Sequence, residues 1–212
     1  MHTYIFLLGI LVMTYFMMMV KRLPALINGF RWQSLFLFLL TLLLAKREAD
    51  GALYVVAGLI FLLKVVLVPY FLLRIVKRIK VNENLGFFMN PQLSLLSGLL
   101  LTYLSYLFTF KVMLLADRMQ SVSFALSLCV TLMGLFIMIF RMKAVVQIVG
   151  LLVMENGLFL TAVTMCGGMP FIVELSTFLD IFISVIILGV FVYRINTLFT
   201  HIDVNKLDSL RG

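Results

Sequence analysis

The sequence predicts an all-α integral membrane protein of about seven transmembrane helices. Of its 212 residues, 64% are hydrophobic and only 12% are charged, whereas a soluble domain carries roughly 25% charge. The apolar runs are continuous and near 20 residues long, the length a helix needs to cross about 30 Å of hydrocarbon. A β-barrel would instead show segments of about 10 residues with alternating polarity.

Run length places the seven spans at residues 4–20, 30–44, 52–73, 93–110, 121–140, 144–166 and 171–193. The first follows Met1-His-Thr-Tyr4, which has neither a basic region nor a small-residue cleavage site, so it is expected to stay as a helix. The second is short and is expected to begin near Trp32, an interfacial anchor. The third contains Pro69, which should kink it. The fifth and sixth are joined tightly by Arg141-Met-Lys143. The sixth and seventh are joined by Gly167-Gly-Met-Pro170, a breaker cluster that reads as a turn. These last three spans should pack as neighbours.

Charge sets the orientation. Lys21, Arg22, Arg31, Arg74, Lys77, Arg78, Lys80, Arg141, Lys143, Arg194, Lys206 and Arg211 fall on one side, and only Lys46, Arg47, Lys111 and Arg118 on the other. By the positive-inside rule the first set is cytoplasmic. The N-terminus then faces out and the C-terminus, after seven crossings, faces in. The net charge of +8 is read as this bias, together with contact to anionic lipid, rather than as nucleic-acid binding. The chain divides into a three-helix half (1–80), a cytoplasmic connection (81–92), a four-helix half (93–195) and a short polar tail (196–212).

Soluble-enzyme motifs are missing: the sequence has no Walker A loop, no dinucleotide-binding glycine fingerprint and no Cys-x-x-Cys. Cys129 and Cys166 cannot form a cysteine metal site by themselves. His2 and His201 lie on opposite sides of the membrane in this topology, so they cannot pair as haem ligands.

Ionisable groups within the spans carry the functional signal, because a charge at the bilayer centre costs about 2.5–3.5 kcal/mol on insertion scales. Glu155 stands out first, in the middle of the sixth span. At about 1.5 Å rise per residue, Lys64, Glu155 and Asp180 lie roughly 20, 16 and 14 Å from the outer surface. All three therefore fall in one central polar layer. Burial there would bring carboxylates and a lysine toward similar proton affinity, as a proton or charge relay requires. Glu174 is nearer the outer interface. Glu174, Gln147, Asn156 and Lys143 are secondary candidates. Structural readings stand beside these. Lys64 and Asp180 can serve as helix-packing partners, Gln33 and Gln147 as bonds across helices, and Asn156-Gly157 as a place for close helix approach.

The run Gln147-Ile-Val-Gly-Leu-Leu-Val-Met-Glu-Asn-Gly157 resembles component E of hydrogenase-4, a membrane subunit of formate-hydrogenlyase-type complexes. Lys64-Val-Val-Leu-Val-Pro69, the positions of Glu174 and Asp180, and Asp203-Val-Asn-Lys-Leu-Asp-Ser-Leu-Arg-Gly212 extend the resemblance over nearly the whole chain. Residues 121–193 are also similar to the K subunit of respiratory complex I. They differ in carrying Leu152 where that subunit has a Glu, with Glu155 one turn later, and Asp180 in place of a second Glu.

The resemblance implies a non-catalytic membrane-arm subunit of a [NiFe] hydrogenase complex in the prokaryotic cytoplasmic membrane. Glu155, Asp180 and Lys64 would form its proton or ion relay. No cofactor would be bound by this chain; the nickel–iron site and iron–sulfur clusters would sit in cytoplasmic partner subunits, beside antiporter-like membrane subunits. A subunit of a cation/proton antiporter-type or other complex I-related assembly without hydrogenase, or a purely structural scaffold, would use the same sequence features.

Overall fold

The computed structural model describes residues 2–49, 51–79, 91–112, 118–141 and 143–165. The seventh span, the 167–170 turn, the tail, Cys166, Glu174 and Asp180 lie outside the described residues, as does most of the 81–92 connection. The described residues are helical, with no strand among them. In order they form α1 (His2–Met19), α2 (Leu23–Glu48), α3 (Gly51–Ile60), a π segment (Phe61–Leu67), α4 (Val68–Ile79), α5 (Pro91–Val112), α6 (Arg118–Phe140) and α7 (Ala144–Met165). The π segment joins α3 and α4 directly, so the three make one rod.

Five of these helical stretches are long and apolar enough to cross a membrane: Leu23–Arg47, Gly51–Arg74, Gln92–Val112, Gln120–Phe140 and Val145–Met165. Thr3–Met19 adds a shorter apolar helix. The chain is a multi-pass, all-helical membrane protein on this architecture. Large apolar side chains such as Ile5, Leu8, Val55, Leu96, Tyr103 and Phe110 lie on its outside. A soluble monomer rarely carries so much apolar surface, but lipid accepts it.

The second span differs from expectation. It runs 26 residues from Leu23, not from the neighbourhood of Trp32, because Pro24 sits in its first turn. There the missing N–H costs nothing and the fixed φ favours the helix. Trp32 is exposed, but it lies nine residues inside α2 and does not mark its start. The polar residues Asn28, Arg31 and Gln33, which interrupt the apolar pattern, concealed the first turns. Likewise Pro91 opens α5 rather than ending a connection.

Burial identifies the centre. In their membrane-crossing windows, 56% of α7 and 50% of α2 is buried, against 22% of α5; α7 and α2 are therefore core helices and α5 is peripheral. The inward face of α2 carries Leu23, Leu26, Ile27, Phe30, Gln33, Ser34, Leu37, Leu40 and Thr41, the three- and four-residue spacing of one helical stripe. Helices from both sides of residues 80–90 pack together: α1 meets α5 and α6, and α2 meets α7.

The closest pair is α6 and α7. A Cβ added to Gly134 would lie 2.7 Å from Met154 Cα, one on Gly150 2.7 Å from Met138 N, and one on Gly157 2.6 Å from Thr131 N. These are backbone atoms, so the two helices touch main chain to main chain, as small residues permit in membranes. Thr161 Oγ1 donates to Ser127 Oγ at 2.8 Å across the same seam. The expected close approach at Gly157 is therefore found, and the fifth and sixth spans are neighbours as expected.

Candidate functional site: a buried polar chain at Lys64

Lys64 lies at the middle of the π segment and is 2% exposed. The cause of the widened turn is local. Pro69 has no N–H, and its ring crowds the carbonyl four residues back. The helix responds just upstream, where the Val68 N–H donates to Leu63 O, five residues earlier. The expected disturbance at Pro69 thus takes the form of a π turn, and such turns recur at functional sites.

The Lys64 Nζ donates to Asn156 Oδ1 on α7 at 2.9 Å. Asn156 Nδ2 in turn donates to Gln33 Oε1 at 3.1 Å and Ser34 Oγ at 3.2 Å, both on α2. Gln33 Nε2 donates to Thr14 Oγ1 on α1 at 2.8 Å, and the Thr14 hydroxyl donates to Ile10 O at 2.7 Å. All five side chains are at most 2% exposed. A buried polar group is costly unless hydrogen-bonded, and these satisfy one another across three helices and the π segment.

Glu155 is 4% exposed, with both carboxylate oxygens shielded from solvent. It precedes Asn156 and lies one turn before Phe159, whose ring centroid is 5.9 Å from Lys64 Nζ. Residues four apart share a helix face, so Lys64 docks against the same turn of α7 that carries Glu155. The structure thus brings Lys64 together with the α7 turn of Glu155 and Asn156. Among the described residues no group of three His, Cys, Asp or Glu side chains converges as a metal site would need.

The secondary candidates separate. Asn156 joins the chain directly and is its central branch point, a larger role than close helix approach. Gln33 does bond across helices. Gln147 does not: it is exposed, and its Nε2 donates back to Arg141 O at 3.0 Å in the α6–α7 connection. Lys143 is half-buried there, and its carbonyl accepts the Val146 and Gln147 N–H groups at 2.9 and 3.1 Å, opening α7.

Sequence reasoning missed Thr14 and Ser34. Only Ser34 had a signal, since it adjoins Gln33 on the buried stripe of α2. It also missed a second polar cluster, in which Tyr15 OH bonds Thr102 Oγ1 and Thr102 Oγ1 lies 3.3 Å from the Cys129 thiol, linking α1, α5 and α6. Cys129 is a free, buried thiol.

Arg141 is a further surprise. The orientation rule treats it as a surface charge, yet it is 4% exposed and its Nη2 donates to Met18 O at 2.8 Å. It caps the end of α1 from the α6–α7 turn, where the carbonyls of a helix C-terminus favour a cation. Burial pushes its guanidinium down to about 10, which leaves it charged at neutral pH. Arg141→Met is expected to cost about 1–2 kcal/mol, read as a fall in the unfolding midpoint of the detergent-solubilised protein. An unchanged midpoint would remove this capping role. The contact also places the Lys21–Arg22 and Arg141–Lys143 junctions at one end of the bundle.

No family profile and no solved structure matches the chain. It is 31% identical over 192 residues to Uncharacterized protein Rv0085 of Mycobacterium tuberculosis (strain ATCC 25618 / H37Rv), an alignment covering 90% of this chain and 87% of that relative. Identity of this degree over nearly the full length of both chains means that this membrane protein belongs to the same family as Rv0085.

Proposed function

We propose that this chain is a non-catalytic membrane-arm subunit of a membrane-bound [NiFe] hydrogenase complex of the formate hydrogenlyase type, contributing buried charged residues to proton or cation translocation. The observation that carries the reading is the buried Lys64–Asn156 contact on the turn of α7 that bears Glu155. A lysine and a carboxylate buried at one depth are costly to insert, and in membrane proteins such groups mark ion pathways. The resemblance of Gln147–Gly157 to hydrogenase-4 component E supplies the complex.

In this reading the chain crosses the prokaryotic cytoplasmic membrane seven times, with its N-terminus outside and its C-terminus in the cytoplasm. Glu155 and Asp180 accept protons, and Lys64 is the charge partner. Antiporter-like membrane subunits flank it, and cytoplasmic partners hold the nickel–iron site and iron–sulfur clusters.

Affinity purification of the tagged chain with subunit identification tests the assembly. Hydrogenase subunits should co-purify; antiporter-like subunits alone would move the reading to an antiporter-type complex. The relay is tested by Glu155→Gln in vesicles. Hydrogen chemistry with artificial electron acceptors should persist, while ion movement per turnover falls about tenfold or more, the scale on which loss of one positioned proton-transfer group acts. Undiminished ion movement would exclude Glu155 from the path. The backbone-tight α6–α7 seam favours a second reading, a scaffold subunit, which instead predicts loss of assembly in the same variant.

A further inference from the structure

The polar chain contains a constraint that the relay reading leaves unused. A lysine ammonium has three donors and no acceptor. The atom of Asn156 that faces Lys64 must therefore be its oxygen, as observed at 2.9 Å. That choice turns the Asn156 amide nitrogen toward α2, where its two N–H groups meet Gln33 Oε1 and Ser34 Oγ. Gln33 must then present its nitrogen to Thr14. Thr14, having accepted, spends its own proton on Ile10 O. The donor-only end fixes every later link, and all bonds run one way, from the π segment through α7 and α2 to α1.

We infer that Gln33 and Thr14 are positioning residues for the Lys64 ammonium, acting through Asn156 along this one-directional chain. Carboxamides neither release nor take up protons in ordinary conditions, so Gln33 and Asn156 are unsuited to carry a proton themselves. What they provide is orientation. Asn156 alone could rotate about its terminal torsion, which is broad. Gln33 and Ser34 hold its nitrogen, and Thr14 holds Gln33. Polarisation along such a chain strengthens each bond and aims an oxygen at Lys64. The consequence for ion movement rests on the translocation role proposed for Lys64; the positional coupling does not.

The test is a double-mutant cycle in the purified complex carrying the full chain, reconstituted in vesicles with a trapped pH-sensitive dye. Gln33→Leu and Thr14→Val are each made alone and with Lys64→Met, with Thr14→Ser as the conservative variant. Gln33→Leu alone should slow ion movement about fivefold, a coupling of the size seen for residues in one network, and should add nothing in the Lys64→Met background. Thr14→Val, which keeps the shape of Thr14, should slow ion movement where Thr14→Ser does not. Equal losses in both backgrounds, or equal behaviour of Thr14→Val and Thr14→Ser, would overturn the inference.

If Lys64→Met itself leaves ion movement unchanged, the relay role of Lys64 falls, and the thermal midpoints of the same proteins decide the coupling. Non-additive shifts between residues 33 and 64, which have no direct bond in the chain, support positioning; additive shifts overturn it.

Discussion

Gly157→Leu is expected to abolish the folded protein. A Cβ at this position would lie 2.6 Å from Thr131 N and 2.9 Å from Ser127 O, and neither backbone atom can move without separating α6 from α7. Overpacking a core by a few methylenes costs about 1–3 kcal/mol even where side chains can adjust. Here they cannot, so a loss above about 3 kcal/mol is expected, a large part of a typical stability of about 5–15 kcal/mol. The measurement is the yield and thermal midpoint of monodisperse protein in mild detergent. Gly58→Leu is the control. Gly58 has open space where its Cβ would be, and replacing glycine in an exposed helix interior is favourable by up to about 1 kcal/mol. A Gly157 variant as stable as the Gly58 variant would mean that the α6–α7 contact is looser than described.

Asn156→Leu is expected to be the most damaging substitution within the polar chain. It keeps the volume but removes one acceptor and two donor contacts, those of Lys64, Gln33 and Ser34. Hydrogen bonds between membrane helices average only about 0.6 kcal/mol in double-mutant cycles, so three neutral bonds would amount to roughly 2 kcal/mol. One of these bonds is made by a buried ammonium, and hydrogen bonds to charged groups are worth more, about 1.5–3 kcal/mol in soluble proteins. The expected loss is therefore about 2–4 kcal/mol. Replacing both ends, Asn156→Leu with Lys64→Met, should recover part of it, because an ammonium is then no longer set against an apolar side chain. A denaturant titration of the single and double variants checks this. A double variant less stable than either single one would show that the cost lies in packing and not in the buried ammonium.

The helical class and most span positions were legible because lipid imposes length: four of the predicted spans coincide, within a few residues, with described helices that can cross a membrane, and a fifth lies inside the longer α2. The start of α2 was not legible. Its first turns carry the exposed Asn28 and Arg31 and the buried Gln33, and polar residues look like a membrane boundary when only apolar content is counted. Lys64 and Glu155 were visible as charges without a reason to be in lipid. Asn156 was visible as a secondary candidate and as a polar neighbour of glycine but not as the partner of Lys64, and Thr14 not at all. A threonine in an apolar helix ordinarily returns its hydroxyl to the carbonyl four residues back, as Thr41 does to Leu37 O at 2.9 Å, and the sequence has no mark that separates this habit from a tertiary bond. The burial of Arg141 was not legible for a different reason: counting basic residues on each side does not show which of them a neighbouring helix end will claim.

The π segment has a consequence for phase. Along the third rod the buried positions Ile60, Lys64, Val68, Leu72 and Val76 recur every four residues. Four residues overshoot a 3.6-residue turn by about 40°, so in an uninterrupted α-helix this series would wander about 160° from first to last. A wider turn winds less per residue and takes back part of that overshoot. The stripe that begins in α3 therefore still faces inward in α4, with a lysine as one of its rungs. Seen in this way, the widened turn acts as a phase correction, keeping Lys64 in line with the apolar rungs on either side.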